Sequence, residues 1–341
     1  MADTMRAFVI TGPRAARVEE VARPLAAPGE VVVDVERAGV CGTDVEFFTG
    51  DMAYLHSGEA AYPIRIGHEW TGTVASIGDG VDEAWLGRRV VGDTMLGCRH
   101  CARCRAGRQH LCADRYEVGI RNGWPGALAD QVRVPASSLH AVPDGIDAAT
   151  GALIEPGANA WRTVDALGLA AADRVLIVGA GAIGLLAALI ARARGLAVDI
   201  LGRSEGSLRF AESLGFERTW SVERPPTGRY DGVIDASHDP ASPARTIALV
   251  QPGGRVAWIG LSGTPSLVDS RRIVLADVTV VGVLSGSPGL AGMIELVATG
   301  RVDPSPLVAA VVGLDAVAEA LSGHRGRDWG GGPKIQVDPR R

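Results

Sequence analysis

Apolar and polar positions alternate, or run together as valines, over Arg6–Ile10 and Glu30–Ala38, with Pro24, Pro28 and Gly29 between them. That period of two sets one face of an extended chain on a core and predicts strands in hairpins. Further short runs at Gly72–Ile77, Arg88–Val91 and Asp130–Val134 are separated by Gly, Asp and Pro. The first 150 residues or so therefore predict a small, mainly antiparallel, barrel-like β-domain. Near residue 145 the period lengthens. Ile146–Ile154, Ala158–Leu169 and Leu185–Arg194 have helical spacing, and short apolar runs stand at Arg174–Val178, Ala197–Leu201, Gly232–Ala236, Arg255–Gly260 and Val278–Val283. Alternating strands and helices predict an α/β unit, an open parallel sheet with helices on both faces. Helical patterns at Gly289–Thr299 and Leu314–Ser322 and a last strand at Lys334–Val337 resemble the β-domain in texture. The expected domains are 1–154 with 285–341, and an inserted α/β domain, 155–284.

Composition narrows the class. At 341 residues two cores are expected. A net charge of −5 gives no reason to expect nucleic acid or an anionic membrane as partner. The apolar runs are broken by Arg, Asp or Gly before reaching spanning length, and the first residues lack a signal pattern, so a cytoplasmic protein is expected. Five cysteines, four of them crowded into Cys98–Cys112, fit metal better than disulfides.

Five stretches carry chemistry. Cys41-Gly-Thr43-Asp44 puts a soft sulfur, a hydroxyl and a carboxylate together, and Gly67-His68-Glu69 adds an imidazole and a second carboxylate. A lone Cys or His is more often packing, but together they point to an open zinc site with room for an exchangeable ligand. Cys98, Cys101, Cys104 and Cys112 have the spacing to close a tetrahedral zinc, which would fold a loop too poor in apolar residues to fold alone. Gly179-Ala-Gly181-Ala182-Ile183-Gly184 joins a predicted strand to a predicted helix, the setting in which this glycine pattern binds a dinucleotide pyrophosphate. The next strand ends at Gly202-Arg203-Ser204. It offers no carboxylate to a ribose 2′-hydroxyl, while Arg203 and Ser204 suit a 2′-phosphate, so NADP is expected ahead of NAD.

In this order these motifs resemble the zinc-dependent medium-chain alcohol and polyol dehydrogenases, over nearly the whole chain. The resemblance implies a GroES-like catalytic domain plus a Rossmann domain, and two zinc ions per chain, one catalytic and one structural. It makes Cys41 and His68 catalytic ligands and Asp44 the carboxylate that orients the His68 ring. Alcohol dehydrogenases supply a second cysteine just before the nucleotide domain. Here Glu155 stands at that place, as in the polyol and sugar enzymes, where this glutamate and Glu69 meet zinc directly or through water. Glu46 and Glu117 match glutamates of NADP-using glucose dehydrogenases. Thr94 and Leu284–Ser287 depart from those enzymes' substrate-binding asparagines, which puts glucose itself in doubt. The activity implied is hydride transfer between a secondary alcohol of a sugar, polyol or cyclitol and NADP, with Thr43 relaying the substrate proton. Dehydrogenation of simple alcohols and reduction of an activated double bond are the alternatives, and a non-catalytic NADP-binding protein is a third. The resemblance also implies a homodimer or homotetramer.

Overall fold

In the computed structural model, which describes residues 3–341, Thr4–Gly12 turns at Pro13-Arg14 into an antiparallel partner, Ala15–Ala22. The expected partner was the valine-rich Glu30–Ala38. Ala15–Ala22 hides its strand character because its charged positions, Arg17, Glu19 and Glu20, leave few apolar residues to count. Ile64–Arg65 pairs with the other edge of Thr4–Gly12, making a three-stranded sheet.

Glu30–Gly39 instead becomes the centre of a seven-stranded sheet. It pairs with Glu69–Ile77 and with Gln131–Pro135, and its end meets Lys334–Val337. Alternation explains its place: Val31, Val33 and Val35 share one face and are buried with Phe8, Phe47, Trp70 and Leu128. The strands are antiparallel except for Val308–Val312, which runs parallel to Lys334–Val337. The expected β-domain is therefore present.

The other unit holds six parallel strands: Arg174–Val178, Ala197–Gly202, Thr219–Ser221, Tyr230–Asp235, Val250–Trp258 and Thr279–Gly282. Counted in chain order, they lie across the sheet as 3-2-1-4-5-6. In a doubly wound sheet, ligands bind beyond the strand C-termini where that order reverses, next to Val178 and Asp235.

The chain divides at Glu155. The first unit runs up to that residue and resumes over Val308–Gly330 and Lys334–Arg341, and the second is Pro156–Leu307 with Gly331–Pro333. The expected return at residue 285 is thus too early. Residues 285–307 stay with the nucleotide unit because the helix Leu290–Ala298 packs on the helix Ile154–Leu167. A Cβ at Gly292 would strike Trp161 and one at Gly157 would strike Met293, and Arg162 holds the carbonyls of Leu284 and Ser285. Among the described residues no helix is long and apolar enough to cross a membrane.

Candidate functional site

The strand Glu30–Gly39 delivers the chain to Cys41, which caps the helix Gly42–Thr49. The Cys41–Asp44 motif is therefore a helix start. Its cap is reciprocal: the Cys41 amide donates to Asp44 Oδ2 at 2.8 Å, so Asp44 is fixed by backbone and fully buried. Thr43 and Glu46 ride the same helix, both half-buried. Opposite, Gly39 pairs in register with Glu69, and His68 precedes that strand. A Cβ on Gly39 would overlap the Glu69 carboxylate, so only glycine leaves room for it.

The ligand atoms of Cys41, His68 and Glu69 lie within 4.8 Å of one another. His68 and Glu69 are buried at 5% and 1% exposure. Burial by itself would discharge the His68 ring, yet the Cys41 sulfur, Asp44 and Glu155 outweigh it and hold the ring's pKa well above its usual value. A site that draws a proton this strongly is equally suited to a metal cation. Two orphaned buried atoms face each other there, His68 Nδ1 and Asp44 Oδ1, 3.8 Å apart. With Asp44 on the Nδ1 side, Nε2 is the nitrogen left for a metal. Burial raises the Asp44 pKa, against the lowering effect of His68 and the Cys41 amide. These groups fit a zinc ion.

Two features of this site escaped the sequence reading. Lys334 Nζ reaches both Glu69 carboxylate oxygens at 2.5 Å and the Val40 carbonyl at 3.2 Å, with the pair sealed from solvent. Burial pulls the Lys334 ammonium down, but Glu69, Cys41 and Asp44 more than compensate, and its pKa is raised. Glu69 is therefore already bound to a cation, which separates it from a freely available ligand. Thr94, read only as a departure from the sugar enzymes, donates its hydroxyl to Glu155 Oε1 at 3.1 Å and stands 3.4 Å from the His68 carbonyl. Glu155 is buried and electrostatically coupled to His68, but lies outside the tight Cys41–His68–Glu69 group.

Glu117 sits on Tyr116–Glu117, paired with Met95–Leu96, and is buried. Arg115 Nε binds its Oε1 at 2.8 Å and the Tyr54 hydroxyl donates to the same oxygen at 3.2 Å. As an acceptor for substrate hydroxyls it is largely committed, because an arginine two residues away already neutralises it.

In the lobe, the four sulfurs of Cys98, Cys101, Cys104 and Cys112 lie within 4.8 Å of one another, and none is in a disulfide. The Sγ–Sγ separations of 4.0 Å for Cys98–Cys104 and 3.9 Å for Cys101–Cys112 approach the edge of about 3.8 Å that Zn–S bonds of about 2.3 Å impose on a tetrahedron. Backbone amides of Cys101, Cys104 and Cys98 point at the sulfurs of Cys98, Cys101 and Cys112 from 3.4–3.5 Å. The Cys104 amide holds the Cys101 thiol down at about 7, and the amides of Cys101 and His100 lower Cys98. These residues, too, fit a zinc ion.

In the second unit the three fingerprint glycines have different reasons to be glycine. Gly179 has φ 108° and abuts the Ala236 carbonyl, and a Cβ at Gly184 would strike the Gly179 carbonyl. A Cβ at Gly181 would meet nothing within 4 Å, leaving open space at the start of the helix Ala182–Ala193. The amides of Ala182, Ile183 and Gly184 form its first turn, where an anion is favoured by free donors and the helix dipole. The donor set fits a pyrophosphate. Arg203 is exposed and, among the described residues, its guanidinium has no hydrogen-bond or ion-pair partner. Ser204, expected to help hold a phosphate, caps the helix Glu205–Ser213 and bonds to Ser207. Gly202 has a packing reason as well, since a Cβ there would press on Leu208 at 2.7 Å.

Residues 27–144 match the alcohol dehydrogenase GroES-like domain and residues 182–299 the zinc-binding dehydrogenase domain. The L-threonine 3-dehydrogenase of Streptomyces avermitilis is 33% identical over 335 residues, 91% of this chain and 95% of that one. That of Deinococcus deserti is 30% identical over 331 residues, 91% and 94% of the two chains. A putative zinc-binding dehydrogenase from Sinorhizobium meliloti bound to NADP superposes with a TM-score of 0.88 at 28% identity, covering 98% of this chain and 99% of that one. An Escherichia coli alcohol dehydrogenase complexed with NADH shares the fold at TM-score 0.90 and 24% identity, covering 99% and 100%. The chain belongs to the zinc-dependent medium-chain dehydrogenases, enzymes that move a hydride between a CH–OH carbon and a nicotinamide cofactor.

Proposed function

We propose that the chain is an NADP-linked dehydrogenase of secondary alcohols bearing further polar groups, a sugar, polyol or cyclitol in the first instance. The observation that carries this reading is the acidic make-up of the metal site: one cysteine and one histidine with carboxylates, and no second sulfur. Bound zinc would supply a Lewis acid that makes the substrate hydroxyl easier to deprotonate, and bound NADP would supply the hydride acceptor. Cys41 and His68 hold the metal, Asp44 positions the ring, and Glu155, steadied by Thr94, meets the metal or a neighbouring substrate hydroxyl. Glu69, gripped by Lys334, contributes negative charge from behind. Thr43 relays the substrate proton, accepting it at its hydroxyl while passing its own hydroxyl proton on towards solvent, and Glu46 offers a further acceptor on the same helix. Cys98, Cys101, Cys104 and Cys112 hold the structural zinc. Assembly as a homodimer or homotetramer belongs to the same reading. The exposed Leu267, Val274 and Leu275, in the segment leading to the edge strand Thr279–Gly282, support it.

A second substrate reading has its own support. The relatives named L-threonine 3-dehydrogenase make a hydroxy-amino acid the next class to try. Reduced-cofactor absorbance, followed with NADP and NAD over sugars, polyols, cyclitols, L-threonine and simple alcohols, ranks these directly. Turnover confined to unsubstituted alcohols would remove the proposal. Glu155→Ala is expected to cut turnover at least about a hundredfold, the usual scale for a lost acid–base or electrostatic group, while leaving NADP affinity unchanged. Full activity with both zinc ions retained would move the role to Glu69.

Cofactor choice gives a separate test. Arg203→Ala is expected to raise the Michaelis constant for NADP at least about tenfold and to leave that for NAD unchanged, because a charge-assisted pair is worth ~1.5–3 kcal/mol. Arg203 alone is the cleaner change, since an aspartate at Gly202 would also press on Leu208. Equal effects on both cofactors would reject the assignment.

A further inference from the structure

A cleft of ≈320 Å³ opens on the first unit, lined by strands and loops outside the groups described above. Its floor follows from strand alternation. In the three-stranded sheet Val9 stands opposite both Arg17 and Arg65, Ala7 opposite Glu19, and Met5 opposite Val21. Side chains opposite one another, and those two apart along a strand, share a face. Val9, Glu19, Val21 and Arg65 are thus brought to one surface, and all four line the cleft. The loop Gly123-Trp124-Pro125 and residues Ala60, Ala61 and Pro63 form the rest of the wall.

The polar groups of this wall are unevenly satisfied. Glu19 is paired with Arg17 at 2.7 Å. Arg133, near Arg65, is paired with Glu30 at 3.2 Å and stacks over the Trp124 ring. Arg65 has no such partner: among the described residues its guanidinium makes no hydrogen bond and no ion pair. It is half-buried, and burial followed by the Arg133 charge lowers its pKa from the usual arginine value. A guanidinium partly removed from water, with five donors in a fork and no acceptor, is a site short of one anion. Apart from Glu19 the wall around it is apolar, with Val9, Val21, Ile64, Pro63, Pro125 and Trp124. A largely apolar concavity of about 300 Å³ with few charged groups is the usual form of a small-ligand site, and of its two, Arg65 and Glu19, the carboxylate is already paired with Arg17.

We propose that this cleft binds a small monocarboxylate with a flat or branched apolar body, its carboxylate on Arg65 and its body against Trp124 and the proline rim. The Arg65 carbonyl accepts a hydrogen bond from Gly126 at 2.9 Å, and Arg65 lies three residues before His68. A ligand here therefore rests on the segment that carries a metal-site residue, yet touches none of that site's groups. Neither the substrate nor the cofactor of the proposed reaction takes part in this binding.

Isothermal titration of the full-length, zinc-loaded protein with phenylacetate, and with phenylacetamide as the uncharged analogue, tests it. Saturable binding of the carboxylate, with the amide at least about tenfold weaker, is expected from the loss of a charge-assisted pair. Arg65→Met keeps the aliphatic stem and removes the charge, and is expected to weaken phenylacetate by a similar factor. Since the Arg65 guanidinium has no hydrogen-bond or ion-pair partner among the described residues, the variant should melt with the parent. Ala61→Trp, which fills the cleft from an exposed position and leaves Arg65 in place, should also abolish binding. Phenylacetate affinity left unchanged by Arg65→Met, or binding that survives Ala61→Trp, would place the carboxylate elsewhere, the catalytic metal included, and overturn the proposal. So would equal binding of acid and amide, or no saturable binding of either.

Discussion

Lys334→Met is expected to lower the unfolding free energy by about 3–5 kcal/mol, the scale for removing one partner of a buried ion pair. The pair is sealed: Lys334 has 5% and Glu69 1% of its side chain exposed, and the ammonium lies 2.5 Å from both carboxylate oxygens. Truncating Lys334 leaves Glu69 charged, buried and close to Asp44, with water unable to compensate. For a unit of this size the midpoint should fall by on the order of 10 °C. The companion experiment is Lys334→Met combined with Glu69→Leu. Removing both charges should recover most of the loss, because desolvating the pair costs nearly as much as its attraction returns. A single variant that melts with the parent would mean the pair contributes no more than an exposed one, about 0–1 kcal/mol.

Cys101→Ser should remove one zinc per chain and unfold the lobe. A closed tetrahedral site has no spare ligand, and apparent zinc affinities of about 10–16 kcal/mol appear directly as folding free energy where the metal supplies the core. Apolar support in the lobe is thin: of Cys98–Cys112, only His110 and Cys112 are fully buried. Metal analysis should fall from two zinc ions per chain to one, with lower thermal stability and faster proteolysis between Gly97 and Arg115. Unchanged metal content and melting would show that the four sulfurs are held by the protein frame alone. Gly97 gives a control of another kind, since a Cβ there would press on Cys104 Sγ at 2.5 Å.

Much of the catalytic-type site was legible because its groups lie on short local motifs. Cys41, Thr43 and Asp44 share one helix start, His68 and Glu69 are neighbours, and the lobe cysteines fall within fifteen residues. The glycine fingerprint was readable for the same reason, with strand, turn and helix contiguous in the chain. Glu117 shows the limit of this. Its position matched a substrate-binding glutamate, but Arg115 and Tyr54, the latter 63 residues away, had already engaged it.

Local patterning by itself determined the two kinds of unit, the order of the parallel strands' motifs and the two sulfur-bearing sites, because period and spacing are properties of neighbouring residues. What crosses the chain was decided only by the tertiary structure. Lys334 reaches Glu69 across 265 residues because the last strand pairs with Glu30–Gly39, and no local pattern marks a lysine as buried. The strand Ala15–Ala22 exists because Thr4–Gly12 offers it a hydrogen-bonded edge, despite a sequence rich in charge. Residues 285–307 stay with the nucleotide unit because small residues let Met293 and Trp161 close on facing glycines, a steric fit that appears only once the two helices are packed.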